Sequence, residues 1–84
     1  MKTILITGSS RGIGRAVAEL AHKQGYRVIL HGKTDSDALK NVQRSLDGSL
    51  KVVFDIADKS AVHNGINKFL EEVGTIDVLV NNAG

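Results

Sequence analysis

The chain has 84 residues, of which 42% are hydrophobic, and its eleven Lys and Arg against nine Asp and Glu give a formal net charge of +2. This length holds one hydrophobic core, and the small, dispersed positive charge excludes the basic patch that a nucleic-acid partner requires. The sequence has no cysteine and no apolar run near the roughly 18 residues of a membrane helix, so we expect a cytoplasmic protein without disulfides or membrane contact.

Four short segments rich in Val, Ile and Leu alternate with three segments of helical periodicity. The first covers residues 2–7, and the others cover 26–31, 50–54 and 76–80. A nearly continuous apolar run is typical of a parallel strand that is covered on both faces. In the third segment Lys51 alternates with apolar neighbours, which is typical of a strand nearer the sheet edge. We therefore predict four β-strands.

Three amphipathic helices are predicted between these strands. The first starts at Gly12 and ends before Gly25, a residue type favoured just beyond helix ends. The second begins at one of the N-cap residues 34–36 and ends at Gly48, and the third begins at Asp58 or Ser60. The residues expected to face the sheet are Ile13, Val17, Leu20 and Ala21 in the first helix, Leu39, Val42 and Leu46 in the second, and Val62, Ile66, Phe69, Leu70 and Val73 in the third.

The alternation of strands and helices predicts an α/β fold, because helical crossovers join parallel strands in a right-handed sense. We predict a doubly wound (Rossmann) sheet of four parallel strands in the order 3-2-1-4, with three helices. In such a sheet ligands bind at the carboxyl ends of the strands where the strand order reverses. We therefore expect a crevice between strands 1 and 4.

The turn at residues 7–14, Thr-Gly-Ser-Ser-Arg-Gly-Ile-Gly, joins the first strand to the first helix. Gly8, Gly12 and Gly14 lack a Cβ, so they permit positive φ and a close approach of the backbone to a ligand. The first N–H groups of a helix have no partner within it, and its dipole attracts anions. Ser9 and Ser10 add hydroxyl donors. We predict that this turn holds nucleotide phosphates, and a P-loop NTPase is excluded because no Gly-Lys-Ser/Thr follows.

This turn, taken with Asp55 and the Asn-Asn-Ala-Gly at residues 81–84, resembles the classical short-chain dehydrogenase/reductase family. Its glycines follow a GxxxGxG spacing, which differs from the GxGxxG of medium-chain dehydrogenases. Within the family, the sequence of these motifs is most similar to that of 3-oxoacyl-carrier-protein reductases. The resemblance implies that residues 1–84 form a single dinucleotide-binding half-domain of an NAD(P)-dependent oxidoreductase.

The resemblance also implies which residues surround the cofactor. Those expected at the phosphates and the adenosine ribose are Gly8, Ser10, Arg11, Gly12, Ile13 and Gly14. Asp55 would accept a hydrogen bond from the adenine amino group, with the backbone of Ile56 beside it. The residues expected to line the ribose site are Asn82, Ala83 and Gly84, and Asn81 would help to stabilise the central sheet. An Asp after a strand can also simply close a turn through its own backbone, and for Asp55 both interpretations stay open.

The end of the second strand bears on the choice of cofactor. A carboxylate there favours NAD, because it accepts from the ribose 2′-OH and repels a 2′-phosphate. Here the strand ends at His31-Gly32-Lys33, and no carboxylate precedes Asp35. Arg11 and Lys33 could form charge-assisted hydrogen bonds with a 2′-phosphate. We therefore predict NADP(H) in preference to NAD, with Asp35 the main threat to this prediction; the alternative is that both cations are solvated loop charges.

No catalytic residue is assigned in this sequence. Family members transfer hydride with a Ser, a Tyr-x-x-x-Lys pair and an Asn, whereas Tyr26 is the only tyrosine here and Leu30 stands four positions later. We expect a truncated chain that lacks the carboxyl-terminal catalytic half, is inactive alone, and meets its carbonyl or alcohol substrate only in the full-length protein. The three histidines match no metal-site spacing, so we expect surface or cap roles for them, and His31, near the adenosine, is the one that bears watching.

A strand 4 at the border of the sheet leaves unpaired backbone groups. We therefore expect a homo-oligomer, with the exposed edge of strand 4 as a contact surface. Two other functions stay open: a non-catalytic nucleotide-binding module or sensor, and a methyltransferase-like domain, which also places a glycine-rich turn after strand 1.

Overall fold

The computed structural model describes residues 1–82, in which strands and helices alternate. The strands are β1 (Thr3–Ile6), β2 (Arg27–Gly32), β3 (Leu50–Val53) and β4 (Val78–Val80). The helices are α1 (Gly12–Lys23), α2 (Asp37–Ser45) and α3 (Lys59–Val73). None of these helices is long and apolar enough to span a membrane.

The strands form one parallel sheet in the order β3-β2-β1-β4. In the register, Leu5 of β1 lies opposite Ile29 of β2 on one side and Leu79 of β4 on the other. The predicted doubly wound fold is therefore confirmed, including its strand order. Because the strands are parallel, the segments that leave β1, β2 and β3 meet at one edge of the sheet.

The hydrophobic core of the chain has two clusters, one on each face of the sheet. Ile4 and Leu30 point to the face covered by α1 and α2, whereas Leu5 and Ile29 point to the face where Phe69 of α3 packs. Adjacent residues of β1 and β2 thus serve opposite faces, which explains why both strands are apolar throughout.

Helix α1 packs through small residues rather than through the predicted stripe. Gly14, Ala18 and Ala21 are buried, while Ile13 is 75% exposed and Leu20 is 60% exposed. Small side chains at positions i, i+4 and i+7 let the helix axis approach the sheet closely, and this rotates the larger side chains outward. The prediction that Ile13 and Leu20 face the sheet was therefore wrong, and so was that for Leu70, which is 38% exposed beside the buried Phe69.

The three helices start differently. Ser36 accepts a hydrogen bond from the Leu39 N–H at the start of α2, and Asp58 accepts one from the Ala61 N–H at the start of α3. Helix α1 follows Arg11, and no side chain caps it. Its first amide groups are therefore left to another acceptor, since a helix start without a side-chain cap needs water or a ligand.

Candidate functional site

A cleft of about 470 Å³ lies at the carboxyl ends of β1, β2 and β3. Three segments form it. They are the turn at residues 7–14 after β1, called the glycine turn below, the end of β2 with the residue that follows, and the turn after β3. Its lining residues are Gly8, Ser10, Arg11, His31, Gly32, Lys33, Asp55, Ile56 and Ala57. The cleft therefore lies over the β1–β3 side of the sheet, rather than over the β1–β4 switch point where the sequence placed the crevice.

The side chain of His31 supports the glycine turn from below. The Gly8 N–H donates to His31 Nδ1 at 3.0 Å, and His31 Nε2 donates to the Phe54 carbonyl oxygen at 2.8 Å. The imidazole ring also lies 4.4 Å from the Phe54 ring, centroid to centroid. His31 is only 2% exposed, so the predicted surface or cap role for this histidine was wrong. The side chain of His31, at the end of β2, thus connects the turn after β1 to the residue that follows β3.

The Ser9 hydroxyl faces inward rather than toward a phosphate. Ser9 is fully buried; its Oγ accepts from the His31 N–H at 2.8 Å, and its N–H donates to the His31 carbonyl oxygen at 2.9 Å. These bonds extend the pairing of β1 and β2 into the glycine turn. The sequence-based assignment of Ser9 as a phosphate donor was therefore wrong, whereas Ser10 does line the cleft.

These contacts define the protonation state of His31. Nδ1 must be unprotonated to accept from the Gly8 amide, and Nε2 must carry the proton because a carbonyl can only accept. Burial lowers the pKa of His31 below its ordinary value of 6.5, partly opposed by the hydrogen bond to the Phe54 carbonyl. The neutral ring is thus the form that the folded chain favours.

We predict that the unfolding free energy falls as the pH drops below about 6.5, since the unfolded chain then binds a proton that the folded chain resists. Chemical denaturation at pH values between about 5 and 8 would measure this slope. His31→Gln should flatten it, because glutamine offers the same pair of donor and acceptor without titrating. His22→Gln is the matched control: His22 lies away from the cleft, where its ring bonds the Asp47 carbonyl, and its loss should leave the slope intact.

Gly14 stands where α1 comes closest to the glycine turn. A Cβ at this position would collide with the Gly8 carbonyl and lie 2.6 Å from the Asn82 side-chain nitrogen. Gly8 and Gly12 have positive φ angles of 63° and 62°, which an L-residue adopts only at a cost. Two glycines therefore shape the turn, and the third lets the helix pack against it.

Asn82 ties the end of β4 to the same turn. Its backbone N–H donates to Thr7 Oγ1 at 2.9 Å, and its side chain donates to the Gly8 carbonyl at 3.1 Å. Thr7 Oγ1 also lies within hydrogen-bond distance of Asn81 Oδ1. Within residues 1–82, Asn81 and Asn82 thus join β4 to the turn after β1.

Charged side chains surround the mouth of the cleft. Lys33 Nζ lies 3.8 Å from Asp55 Oδ2, and both side chains are substantially exposed. Asp55 Oδ1 accepts from the Ala57 N–H at 2.9 Å, so Asp55 does close its own turn. Exposed ion pairs contribute little to stability, and Lys33 can therefore exchange Asp55 for another anion at low cost.

Asp35 is held outside the cleft. Its Oδ1 lies 2.7 Å from Lys51 Nζ on β3, and this hydrogen bond lowers the pKa of the carboxyl. A side pocket of about 190 Å³ continues from the cleft toward the start of α2. Its lining residues are Ser10, Arg11, Gly32, Lys33, Thr34, Ser36 and Ala38. The pocket thus has two cations on its wall, and Asp35 is not among its lining residues.

The structure brings together half of the predicted site residues. Those that line the cleft are Gly8, Ser10, Arg11, Lys33, Asp55 and Ile56. Gly12, Ile13, Gly14 and Asn82 are not part of its lining, and Ala83 and Gly84 lie outside the described residues. Gly32 and Ala57 line the cleft without having been assigned to it, and His31 lines it as well. The available signal was the position of His31 and Gly32 at the end of β2, and of Ala57 in the turn after β3. Within residues 1–82, no three acidic or histidine side chains cluster closely enough to hold a metal ion.

Comparison with known proteins agrees with this geometry. The profile of the family described as short chain dehydrogenase matches residues 2–84. The chain belongs to the short-chain dehydrogenase family.

Among curated members of the short-chain dehydrogenase family, gluconate 5-dehydrogenase of Gluconobacter oxydans is 38% identical over 84 residues, which are 95% of this chain and 32% of that protein. Hydroxysteroid dehydrogenase-like protein 2 of Mus musculus is 34% identical over 91 residues, or 96% of this chain and 19% of that protein. The chain therefore spans a third or less of the length of these two relatives.

Solved structures of the short-chain dehydrogenase family superpose closely. A short-chain dehydrogenase from Bacillus anthracis has a TM-score of 0.91 at 31% identity, covering 99% of this chain and 34% of that one. A metagenomic short-chain oxidoreductase in complex with NADP has a TM-score of 0.90 at 34% identity, covering 99% of this chain and 39% of that one. The Rossmann-like fold is thus shared with known oxidoreductases.

Proposed function

We propose that this chain is the cofactor-binding part of an oxidoreductase that transfers hydride between NADP(H) and a carbonyl or alcohol substrate. The observation that carries the proposal is the cleft that Gly8 and Ser10 of the glycine turn line together with Arg11 and Lys33, where Arg11 directly precedes the uncapped start of α1. Its volume of about 470 Å³ lies within the range of small-molecule sites. The family relationship and a neighbour in complex with NADP support the proposal.

The pyrophosphate would bind at the start of α1. The first amides of this helix have no side-chain cap, and the helix dipole places partial positive charge there. A Cβ at Gly12 would meet nothing within 4 Å, so there is open space beside the backbone. The Gly8 amide is already bonded to His31, which leaves the later amides of the turn and the Ser10 hydroxyl as the donors.

The preference for NADP(H) is supported by the charges around the side pocket. Arg11 and Lys33 both line it, and either can donate to the oxygens of a 2′-phosphate. Asp35, the carboxylate that could oppose this, is engaged by Lys51. We therefore place the 2′-phosphate in this pocket, with NAD as the weaker ligand.

The adenine would bind at the turn after β3. Asp55 Oδ1 closes the turn, so the exocyclic amino group would donate to Oδ2, which the distant Lys33 only weakly engages. Ile56 is 38% exposed at the cleft and offers an apolar surface to the ring. Both interpretations of Asp55 are then compatible, one for each carboxylate oxygen.

When bound, NADP(H) supplies the hydride, and this chain's residues hold and orient it. We assign proton transfer to none of them: Tyr26 packs partly buried against the core below α1 and α2. The proposal therefore places the Ser and Tyr-x-x-x-Lys groups in a further part of the protein and treats residues 1–84 alone as inactive. A cytoplasmic location, and the resemblance to 3-oxoacyl-carrier-protein reductases within the family, belong to the same proposal.

Association through β4 is proposed as well. Among the described residues β4 pairs only with β1, and Leu79 is 62% exposed. An open edge beside an exposed leucine favours pairing with another strand. We therefore propose that this edge is covered by a second copy or by further sheet of the same protein.

The function is tested by calorimetric titration of the chain with NADPH, NADH and S-adenosylmethionine, which measures the affinity for each ligand. We expect NADPH to bind more tightly than NADH and S-adenosylmethionine not to bind. Preference for S-adenosylmethionine would contradict the proposal in favour of a methyltransferase-like domain. NADPH binding without carbonyl reduction by the full-length protein would instead support the alternative of a non-catalytic nucleotide-binding module or sensor.

A further inference from the structure

We propose that neutral His31 is a positioning residue, which keeps the glycine turn in the shape that binds the nucleotide and so makes nucleotide affinity fall in acid. The inference rests on the proposed function. It starts from the observation that both ring nitrogens of a buried histidine are used, one of them by the backbone of the turn itself.

The Gly8 amide needs the acceptor that His31 supplies. Gly8 has a φ of 63°, and its N–H points down to His31 Nδ1 rather than into the cleft. A buried amide without a partner carries a penalty comparable to a lost hydrogen bond. Without Nδ1 the Gly8 peptide would rotate to find another acceptor and would move the amides that follow it. The ring thus acts on the nucleotide through the turn.

The ring itself is held from the opposite side. Its Nε2–H donates to the Phe54 carbonyl, and its face lies against the Phe54 ring. A Cβ at Gly65 of α3 would lie only 2.8 Å from Phe54 Cδ2, so the helix presses closely on this ring. Phe54 therefore has little freedom to move, and His31 is fixed in the orientation that presents Nδ1 to Gly8.

Protonation would break this arrangement. A charged imidazole carries a proton on both nitrogens, so the Gly8 N–H would face a second donor. The charged groups that line the cleft together with His31 are Arg11 on the turn, Lys33 just after β2 and Asp55 after β3. Helix α3 makes its contact here through Gly65 against Phe54; within residues 1–82, no charged side chain of α3 hydrogen-bonds to His31.

The test compares His31→Gln and His31→Leu with the wild-type chain. Glutamine keeps one donor and one acceptor but does not titrate, whereas leucine keeps only the bulk. We expect NADPH affinity at pH 8 to stay within about threefold of wild type in His31→Gln and to fall about tenfold in His31→Leu, since the partly buried Gly8 amide loses its partner. His22→Gln, which removes a histidine outside the cleft, should bind like wild type.

The pH profile separates positioning from a merely structural role. At pH values below the lowered pKa of His31, the wild-type chain and His22→Gln should lose affinity more steeply than His31→Gln. The 2′-phosphate of the ligand also titrates near this range, but it does so equally for every variant. Circular dichroism at each pH verifies that the chains are folded. Wild-type affinity in His31→Leu, or an identical acid loss in His31→Gln and wild type, would overturn the inference.

Failure of the proposed function would look different. If the folded wild-type chain binds no dinucleotide at any pH, the proposed function is contradicted, and hydrogen exchange at the Gly8 amide then decides the role of His31. Protection that is lost in His31→Leu and kept in His31→Gln supports His31 as the support of the turn. Equal protection in all three chains overturns it.

Discussion

Gly14→Val should lower the unfolding free energy by about 3 kcal/mol, at the upper end of typical overpacking costs, and weaken NADPH binding by about 100-fold. The physical reason is the lack of space around this residue. Its Cβ would meet the Gly8 carbonyl and the Asn82 side chain, and the carbonyl is backbone that cannot step aside without shifting the turn. The helix start and the turn would separate, and these are the two parts that would hold the pyrophosphate.

Denaturant unfolding and NADPH titration on the same preparation measure both effects of Gly14→Val. Ala16→Val is the matched control, because it adds the same β-branched side chain at an exposed position of the same helix and should cost less than about 1 kcal/mol. A Gly14→Val chain as stable as this control, and binding NADPH like wild type, would show that the helix and turn do not need their close contact.

Lys33→Glu should reduce the preference for NADPH over NADH by about 100-fold. A charge-assisted hydrogen bond is worth roughly tenfold or more in affinity, and the introduced carboxylate adds repulsion of the 2′-phosphate. NADH lacks this phosphate, so its affinity should change little. The wild-type Lys33 side chain is 75% exposed and only loosely paired with Asp55, which leaves it available to the ligand.

The ratio of the NADH and NADPH dissociation constants, measured in wild type and in Lys33→Glu, checks this prediction. Lys23→Glu introduces the same charge change in the last turn of α1, away from the cleft, and should leave the ratio unaltered. Equal affinities for both cofactors in wild type and in Lys33→Glu would mean that Lys33 is a solvated loop charge.

The fold could be predicted because its signals are local. Apolar runs mark β1 and β2, and residues with suitable capping chemistry, such as Ser36 and Asp58, mark the helix starts. Only a few topologies are possible for parallel strands that are joined by helices. The doubly wound arrangement among them gives the strand order 3-2-1-4. The cleft residues Gly8, Ser10 and Arg11 could be predicted for the same reason, since all three belong to one continuous segment, the glycine turn.

The features that could not be predicted depend on contacts between residues that are distant in the sequence. His31 was expected at the surface because its acceptor and donor, Phe54 and Gly8, are each 23 residues away. Ile13 and Leu20 were expected inside because periodicity favours large apolar residues, while the sheet left room only for the small ones next to them. Distances of this kind follow from packing, which a periodic pattern does not specify.

The contact of Gly65 with Phe54, and of Phe54 with His31, has a consequence for the order in which the molecule is assembled. A growing polypeptide can pair β1 with β2 early, but the imidazole lacks its carbonyl partner until residue 54 has been made. The neighbouring aromatic ring, in turn, is confined only when α3 arrives. During synthesis on the ribosome, the support of the glycine turn is therefore completed late, although its glycines are among the first residues to emerge.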